Sequence, residues 1–151
     1  MSVTHWIYPT NERSDYYLAS AGGETEVSPQ RLLTGIEQHP DDIDPWLLRT
    51  GFRTMRPGDA VWVYAADPYQ YICAVAQAVD IYPDADEWWV SLLWRVDASR
   101  KLMRDPIPRS AFGQIAQRAA VRADRTTAAV LGGWLHSARI RLTDLDSGAA
   151  P

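Results

Sequence analysis

The residues of this chain best suited to binding chemistry are aromatic, and they fall on strand-like segments. The sequence holds seven Trp and seven Tyr, more than one small core requires, because each buried indole N–H or phenol O–H needs a hydrogen-bond partner. In residues 60–65, alternation places two valines on one face of a predicted strand and Trp62 and Tyr64 on the other. The aliphatic face is typical of a core, whereas an aromatic face can line a pocket for a flat ligand.

Five aromatic side chains are candidates for one such pocket: Trp6, Tyr8, Trp46, Trp62 and Tyr64. They converge if the first strand lies beside the strand that carries Trp62. Two or three aromatic walls would sandwich a planar base, as in proteins that bind single-stranded or flipped bases, where stacking contributes ~1–3 kcal/mol per base. Packing in the core is the alternative for each of these residues.

Signatures of catalysis and of metal binding are weak. The three histidines lie far apart, without metal-ligand spacing: His5, His39 and His136. A single cysteine, Cys73, excludes an internal disulfide and a multi-cysteine metal site. The acids of residues 41–44 lie between two predicted helices, where carboxylates cap helix N-termini. We therefore expect no catalytic residue, no bound metal and no cofactor.

Charge is unevenly distributed along the chain. The formal net charge of −4 argues against a protein whose affinity comes mainly from neutralising phosphates. Residues 95–125 are nevertheless basic: Arg95, Arg100, Lys101, Arg104, Arg109, Arg118, Arg122 and Arg125. This section would either face a phosphate backbone, since arginine suits bidentate phosphate contact, or form a solvated surface that balances the acidic half.

Length and composition indicate one compact domain. The chain has 151 residues, 46% of them hydrophobic, which is typical of a globular protein of common domain size. We expect a single domain over residues 1–146 and a frayed tail over 147–151. No apolar run approaches the ~20 residues that cross a bilayer, and no signal-like leader is visible, so we expect a cytoplasmic protein without a membrane partner.

Turn and cap residues predict the order of elements in the first half. Residues 5–8 form a short strand. Ser28 is a plausible N-cap with Pro29 at the first helical position, and this helix stops before Pro40. Asp44 and the proline after it repeat the cap signature, which predicts a second helix over residues 46–51.

The second half is predicted to be mostly strand. A Pro-Gly-Asp turn at residues 57–59 feeds the strand of Trp62, a second strand follows over 71–79, and the longest strand signal covers 87–96. A short helix near 109–112, a brief strand at 119–122, a helix opened by Thr126 or Thr127, and a return to the sheet at 139–142 complete the order. This mixture predicts an α+β fold around a small, strongly curved sheet.

Several of these segments together resemble the EVE domain of the PUA-like superfamily. They are the predicted helix with Trp46 and Arg49, the run Met-Arg-Pro-Gly-Asp at 55–59, the Val-Trp-Val-Tyr strand after it, the strand ending at residues 74–79, and His-Trp-Ile-Tyr at 5–8. The resemblance extends over about residues 6–140. A Pro-Gly-Asp turn followed by hydrophobic alternation recurs in ASCH domains, so an ASCH-like branch is the alternative within the superfamily.

The resemblance implies a PUA-like, partly open β-barrel with flanking helices. EVE domains as a family hold a modified base, such as a modified cytosine in DNA, in an aromatic-lined cavity. We therefore expect a noncatalytic binding module for a modified nucleobase, in which the five aromatic residues form the walls. Asn11 and Ser20 are expected to read the edge of the base, and Arg49 and Arg53 to contact phosphate. Two partners are expected. One is DNA or RNA that carries the modified base, and the other is a separate effector nuclease.

Two other classes of protein remain open. An ASCH-like RNA-binding protein or ribonuclease would need a Lys, Arg and Tyr constellation, for which Lys101, the only lysine, lies in an expected loop. A protein-interaction or small-ligand module would use exposed Trp side chains as an interface. The acidic net charge favours this second class over an avid nonspecific nucleic-acid binder.

Overall fold

The computed structural model describes residues 3–10, 28–66, 68–114 and 120–142. These residues form seven strands, three α-helices and one 3₁₀ turn at Arg109–Ala111. The strands are β1 (His5–Thr10), β2 (Ile43–Leu48), β3 (Ala60–Ala65), β4 (Tyr71–Asp84), β5 (Glu87–Trp94), β6 (Ile107–Pro108) and β7 (Val121–Arg122). The helices are α1 (Pro29–Gln38), α2 (Val96–Arg104) and α3 (Arg125–Ala138).

The strands form one mixed sheet with the order β2-β5-β4-β3-β1-β7, and β6 pairs with β4. β1 runs parallel to β3, and the other strand pairs are antiparallel. Backbone pairing does not close the sheet among the described residues, because β2 and β7 stand at its two ends. The expected α+β class and the expected partly open sheet with flanking helices are therefore confirmed.

The two faces of the sheet belong to two different hydrophobic cores. On the inner face, Val61 and Val63 pack with residues of β1, β2, β4 and β5 and with α1. On the outer face, Trp62 packs with side chains of α2 and α3, among them Leu102 and Leu131. The predicted alternation of residues 61–64 is confirmed, and it explains why a single strand serves both cores.

Two irregularities in register strengthen the curvature of the sheet. The β3–β4 register shifts between Val63 and Tyr64, and the β4–β5 register shifts between Ala78 and Asp80. Extra residues of this kind bend a strand and increase its twist. The curvature brings β1 and β2, which three strands separate in the sheet order, into contact through side chains.

The Pro-Gly-Asp turn before β3 forms as predicted. Gly58 has φ of +96°, a conformation that residues with a side chain rarely adopt. Its N–H donates to the carbonyl of Ala78 at 2.8 Å. The Asp59 carboxylate accepts from the Arg56 N–H at 2.9 Å and from the indole N–H of Trp6 at 3.0 Å, so the turn is anchored to β1.

The helix predicted after Ser28 is also confirmed. The Ser28 side chain accepts a hydrogen bond from the Arg31 N–H, and α1 ends at Gln38, before Pro40. Its apolar residues reach the inner core, including Ile36. None of the helices in the described part of the chain is long and apolar enough to span a membrane.

The helix predicted over residues 46–51 is wrong, because this segment forms β2. Trp46 and Leu48 are buried two residues apart and pair with β5, so the segment follows the period of a strand. Pro45 is tolerated because β2 lies at the edge of the sheet. Asp44 caps no helix, and its carboxylate instead accepts the indole N–H groups of Trp46 and Trp94 at 3.1 and 3.4 Å.

Helix α2 was not predicted from the sequence. Only Ala98, Ser99 and Leu102 are buried in it, and the charged residues between them hide the apolar stripe. Ser99 bonds with both the N–H and the carbonyl of Val75 on the bulged strand β4. Lys101 consequently lies on a helix and not in the expected loop.

The end of the described chain agrees with the sequence in part. The short helix near 109–112 and the brief strand near 119–122 are confirmed as the 3₁₀ turn and β7. Helix α3 begins at Arg125 with Asp124 as N-cap, whose side chain accepts from the Thr127 N–H at 2.7 Å, so the cap precedes the expected Thr126 or Thr127 by two or three residues. Residues 139–142 form no strand, because Arg139 adopts φ of +60° and turns the chain away.

Candidate functional site

The five candidate aromatic side chains do not line one common pocket. Trp6, Tyr8 and Trp46 belong to the inner core, whereas Trp62 and Tyr64 belong to the outer one. The parallel register explains this division, since Trp62 pairs with residue 7 of β1, and residues 6 and 8 point to the opposite face. The first strand does lie beside the Trp62 strand, as the sequence argument required, but with the aromatic faces turned apart.

Trp62 fastens helix α3 to the outer face of the sheet. Its side chain is fully buried, and its ring meets the Trp134 ring edge-on with 6.0 Å between centroids. Its indole N–H donates to Nδ1 of His5 at 3.0 Å. Burial lowers the pKa of His5, which keeps the imidazole neutral and able to accept this bond. Tyr64 packs in the same manner against Phe112.

Trp6 and Trp46 are also committed to the structure. They are 0% and 1% exposed, and both indole N–H groups are bonded to carboxylates, those of Asp59 and Asp44. Burial raises the pKa of Asp59, and its hydrogen bonds from Arg56 and Trp6 oppose that rise. Because an indole has a single donor, neither side chain has a polar group left to read a ligand.

Tyr8 is the candidate aromatic residue that reaches the surface beside the inner core. It is partly buried, and its ring meets the Trp46 ring edge-on at 4.8 Å. Its hydroxyl donates to the main-chain carbonyl of Leu47 at 2.6 Å. Burial raises the pKa of Tyr8 to about 12, and the positive charge of Arg49 acts against this rise. Tyr8 is therefore a neutral donor at neutral pH, with a guanidinium group nearby.

We call the line along which β1 and β2 meet through Tyr8, Trp46 and Leu47 the seam. At its end, Arg49 follows Leu48, the last residue of β2. Arg49 and Arg53 are exposed, and no carboxylate oxygen of the described residues lies within 4.0 Å of either guanidinium. Arg49 thus lies near Tyr8, and both candidate phosphate-contacting residues lack a carboxylate partner within the part of the chain that the structure describes.

Two further aromatic residues at this place were missed by the sequence argument. Trp88 pairs with Leu48 across the β2–β5 ladder and is 43% exposed. The Phe52 ring packs on it at 5.7 Å and also contacts the inner core. Alternation places Trp88 on the inner face, but it lies exposed near the start of β5, next to the β4–β5 turn and opposite the last residue of β2. We call Tyr8, Arg49, Phe52 and Trp88 the seam mouth.

Several remaining candidates of the sequence analysis are either outside the described residues or bonded to local partners. Asn11, Ser20 and the 147–151 tail fall outside the described residues. In the basic section of the sequence, Arg95 bonds with Asp97 and with the carbonyl of Arg141, and Arg100 bonds with Glu37. These local partners favour a structural role for that section over a continuous phosphate track.

The groups that could serve catalysis are not brought together in the described residues. They contain no group of three or more His, Cys, Asp or Glu side chains placed to hold a metal ion. Burial raises the pKa of the Cys73 thiol to about 12, so the thiolate that a nucleophile needs is not formed at neutral pH. Lys101 is exposed on α2, which packs against the outer face of the sheet, whereas Tyr8 lies on the inner face.

Comparison with known proteins returns similar folds at low sequence identity. No protein-family model matches the chain, and no curated protein matches it significantly. Protein Atu2648 of Agrobacterium tumefaciens is 11% identical with a TM-score of 0.48, covering 91% of this chain and 92% of that one. Rpa0253 of Rhodopseudomonas palustris is 14% identical with a TM-score of 0.42, covering 88% and 95%.

A third solved structure is the ZmASCH S128A mutant protein of Zymomonas mobilis. It is 11% identical to this chain with a TM-score of 0.41, covering 86% of this chain and 95% of its own. One of the three structures therefore carries an ASCH name and none carries an EVE name, and membership of the EVE branch stays a prediction.

Proposed function

We propose that this protein binds nucleic acid without cleaving it, and that it recognises a single modified base at the part of the seam mouth formed by Tyr8 and Arg49. The observation that carries the proposal is the position of Tyr8. Its ring lies at the seam between β1 and β2, backed by Trp46 and near Arg49, which has no carboxylate oxygen within 4.0 Å among the described residues. An aromatic ring beside an exposed arginine suits a base stacked on the ring and a phosphate at the guanidinium.

The Tyr8 ring is well ordered for such a role. The hydrogen bond to Leu47 fixes its hydroxyl end, and the edge of the Trp46 ring fixes its orientation. A ring that is already held in place loses little conformational entropy when a ligand stacks on it, and the affinity gains accordingly. The buried partners Trp6 and Trp46 then act as the support of the site, and Tyr8 as its surface.

The net charge of −4 fits a ligand that is held chiefly by its base. Few phosphates can be neutralised by Arg49 and Arg53 alone, so nonspecific affinity for a nucleic-acid backbone should be low. The modification on the base would then separate the target from the large excess of unmodified polymer. Cleavage of the target would come from a separate nuclease that acts in trans.

Binding to a panel of oligonucleotides tests this proposal. Single-stranded DNA and RNA oligonucleotides, each with one modified base or its unmodified parent, are titrated against the protein by fluorescence anisotropy. We expect a preference for one modified base over its parent and weaker binding by Arg49→Gln. Arg104→Gln, an exposed arginine at the end of α2, is the matched control and should bind as the wild type does.

Equal binding to every oligonucleotide, or binding to none, would contradict the proposal and favour a protein-interaction module. Incubation of the protein with a mixed RNA pool tests the absence of cleavage. RNA products that vanish with Lys101→Gln would show a ribonuclease instead, and the recognition of a modified base would have to be abandoned.

A further inference from the structure

Trp88 has an unusual environment for a tryptophan in this protein. It is 43% exposed, and the only other large hydrophobic side chain of the described residues with such exposure is Ile43 at 52%. Indole rings are highly buried on average. An exposed indole next to a proposed ligand site is therefore suited to contact a ligand itself.

The Trp88 ring is supported from below. The Phe52 ring lies 5.7 Å from it at an interplanar angle of 45°, and Phe52 itself packs against the inner core. Trp88 also pairs across the ladder with Leu48, which is buried. These contacts leave one side of the indole open and fix the other, as in a stacking platform.

Charge decides which ligand this platform suits. Arg49 follows the residue that pairs with Trp88, and Arg53 follows Phe52, and neither has a carboxylate within 4.0 Å among the described residues. On the other side of Trp88, the β4–β5 hairpin tip carries exposed acids: Asp84, Asp86 and Glu87. A phosphate chain would therefore approach Trp88 from the side of the arginines and avoid the tip.

The position of Trp88 along β5 also suits a polymer. Trp46, which backs Tyr8, pairs with Val90, and Val90 is two residues from Trp88 along β5. Two strand residues span ~7 Å at ~3.4 Å each, about twice the ~3.4 Å rise of one stacked nucleotide. Neighbouring bases would thus be splayed apart, one at Tyr8 and one at Trp88.

We infer that Trp88 and Phe52 form a second stacking site, which holds the base adjacent to the one at Tyr8, so that the ligand is a single-stranded polynucleotide and not a free nucleotide. This inference rests on the proposed function. A duplex presents no open base face to the platform, and a free nucleotide cannot occupy both positions.

Competition between ligands of different length tests the second stacking site. A fluorescein-labelled eight-nucleotide single strand is titrated with the full chain, and a nucleoside monophosphate is used as competitor. Trp88→Ala should lower the affinity for the eight-nucleotide strand by about tenfold or more. It should leave the inhibition constant of the monophosphate unchanged. Trp88→Phe should retain most of the affinity. Ile43→Ala, the exposed hydrophobic control on β2, should change neither value.

The outcomes separate this inference from the proposed function. Wild-type binding that Trp88→Ala does not alter would overturn the second stacking site and leave the proposed function standing. An equal loss for strand and monophosphate would place Trp88 in the first site and would also overturn it. A wild-type protein that binds neither ligand would overturn both. A thermal melt of each variant shows whether it is folded.

Discussion

Tyr8 donates a hydrogen bond of 2.6 Å to the main-chain carbonyl of Leu47 and so joins two strands that three others separate in the sheet order. Backbone pairing does not reach across this gap in the described residues, so side chains close the barrel there. The same ring faces the proposed ligand. Substitution of Tyr8 would therefore change both the stability of the fold and the binding of the ligand. Arg49 is the better residue for testing binding alone.

Replacing Tyr8 by phenylalanine tests the closure of the barrel. The variant keeps the ring but leaves the Leu47 carbonyl without its donor, so we expect unfolding to become about 1–2 kcal/mol easier. Chemical denaturation measures the difference. Tyr82→Phe is the control, since no hydrogen bond is found for the Tyr82 hydroxyl among the described residues, and it should change stability by less than about 0.5 kcal/mol. Equal effects of the two substitutions would show that the Tyr8 bond contributes nothing.

Local signals in the sequence predicted much of the fold. The Ser28 cap, the turn at Gly58 and the alternation around Trp62 each depend on a few neighbouring residues, and each is confirmed. The prediction of a helix around Trp46 was wrong because an Asp-Pro pair, taken alone, is typical of a helix start. Its true state depends on pairing with β5, some 40 residues away in the chain, and propensity does not register such a partner.

The candidate site was harder to predict, because it depends on which faces meet. Alternation shows that Trp62 and a valine beside it oppose each other, but not which face turns toward Tyr8. The parallel register of β1 on β3 decides that, and it separates Trp62 from Trp6. The exposure of Trp88 depends on where β2 stops along β5, since Leu48, the last residue of β2, pairs with Trp88. No residue pattern within β5 contains that information.

The bond between Trp62 and His5 predicts a pH dependence of stability. Burial lowers the pKa of His5 from 6.5 in the native state, so the unfolded chain binds the proton more readily. This contribution to stability is complete above pH 6.5 and is lost as the pH falls through the lower native pKa. His5→Asn offers an acceptor that does not titrate. Chemical denaturation between pH 4 and 8 should show that the free energy of unfolding falls less at acidic pH for this variant than for the wild type. An equal fall in both proteins would show that His5 does not cause the pH dependence.

Gly58 and Gly35 form a matched pair of glycines. A Cβ at either position meets no atom within 4 Å, so packing does not distinguish them. Gly58 has φ of +96°, whereas Gly35 lies inside α1. Gly58→Ala should destabilise the fold by about 1 kcal/mol or more through backbone strain. Gly35→Ala should stabilise it by about 0.5–1 kcal/mol, because glycine is a poor helix former. Thermal melts of both variants would reveal a wrongly assigned turn if the two shifts had the same sign.

Truncation of two tryptophans should destabilise the protein to different extents. Trp62 is fully buried between β3 and α3, so Trp62→Ala should cost about 3–5 kcal/mol of stability. Trp88→Ala removes a ring that is 43% exposed and should cost less than half as much. Urea denaturation compares them directly. A Trp62→Ala protein as stable as the wild type would mean that the ring is not part of the core, and the original aromatic pocket around Trp62 would deserve a second test.

The salt dependence of affinity distinguishes a base reader from a phosphate binder. If stacking at the seam mouth supplies most of the affinity, few phosphates are neutralised, and log affinity against log salt should slope by about −1 to −3, at roughly 0.7–0.9 per phosphate. Arg49→Gln should make the slope shallower by about one unit and preserve the preference for the bound base, because phosphate contacts position and base contacts specify. Arg104→Gln should leave the slope unchanged. Titrations at four salt concentrations measure it. A slope steeper than about −5 exceeds what Arg49 and Arg53 can supply, and recognition would then belong to the basic residues of 95–125.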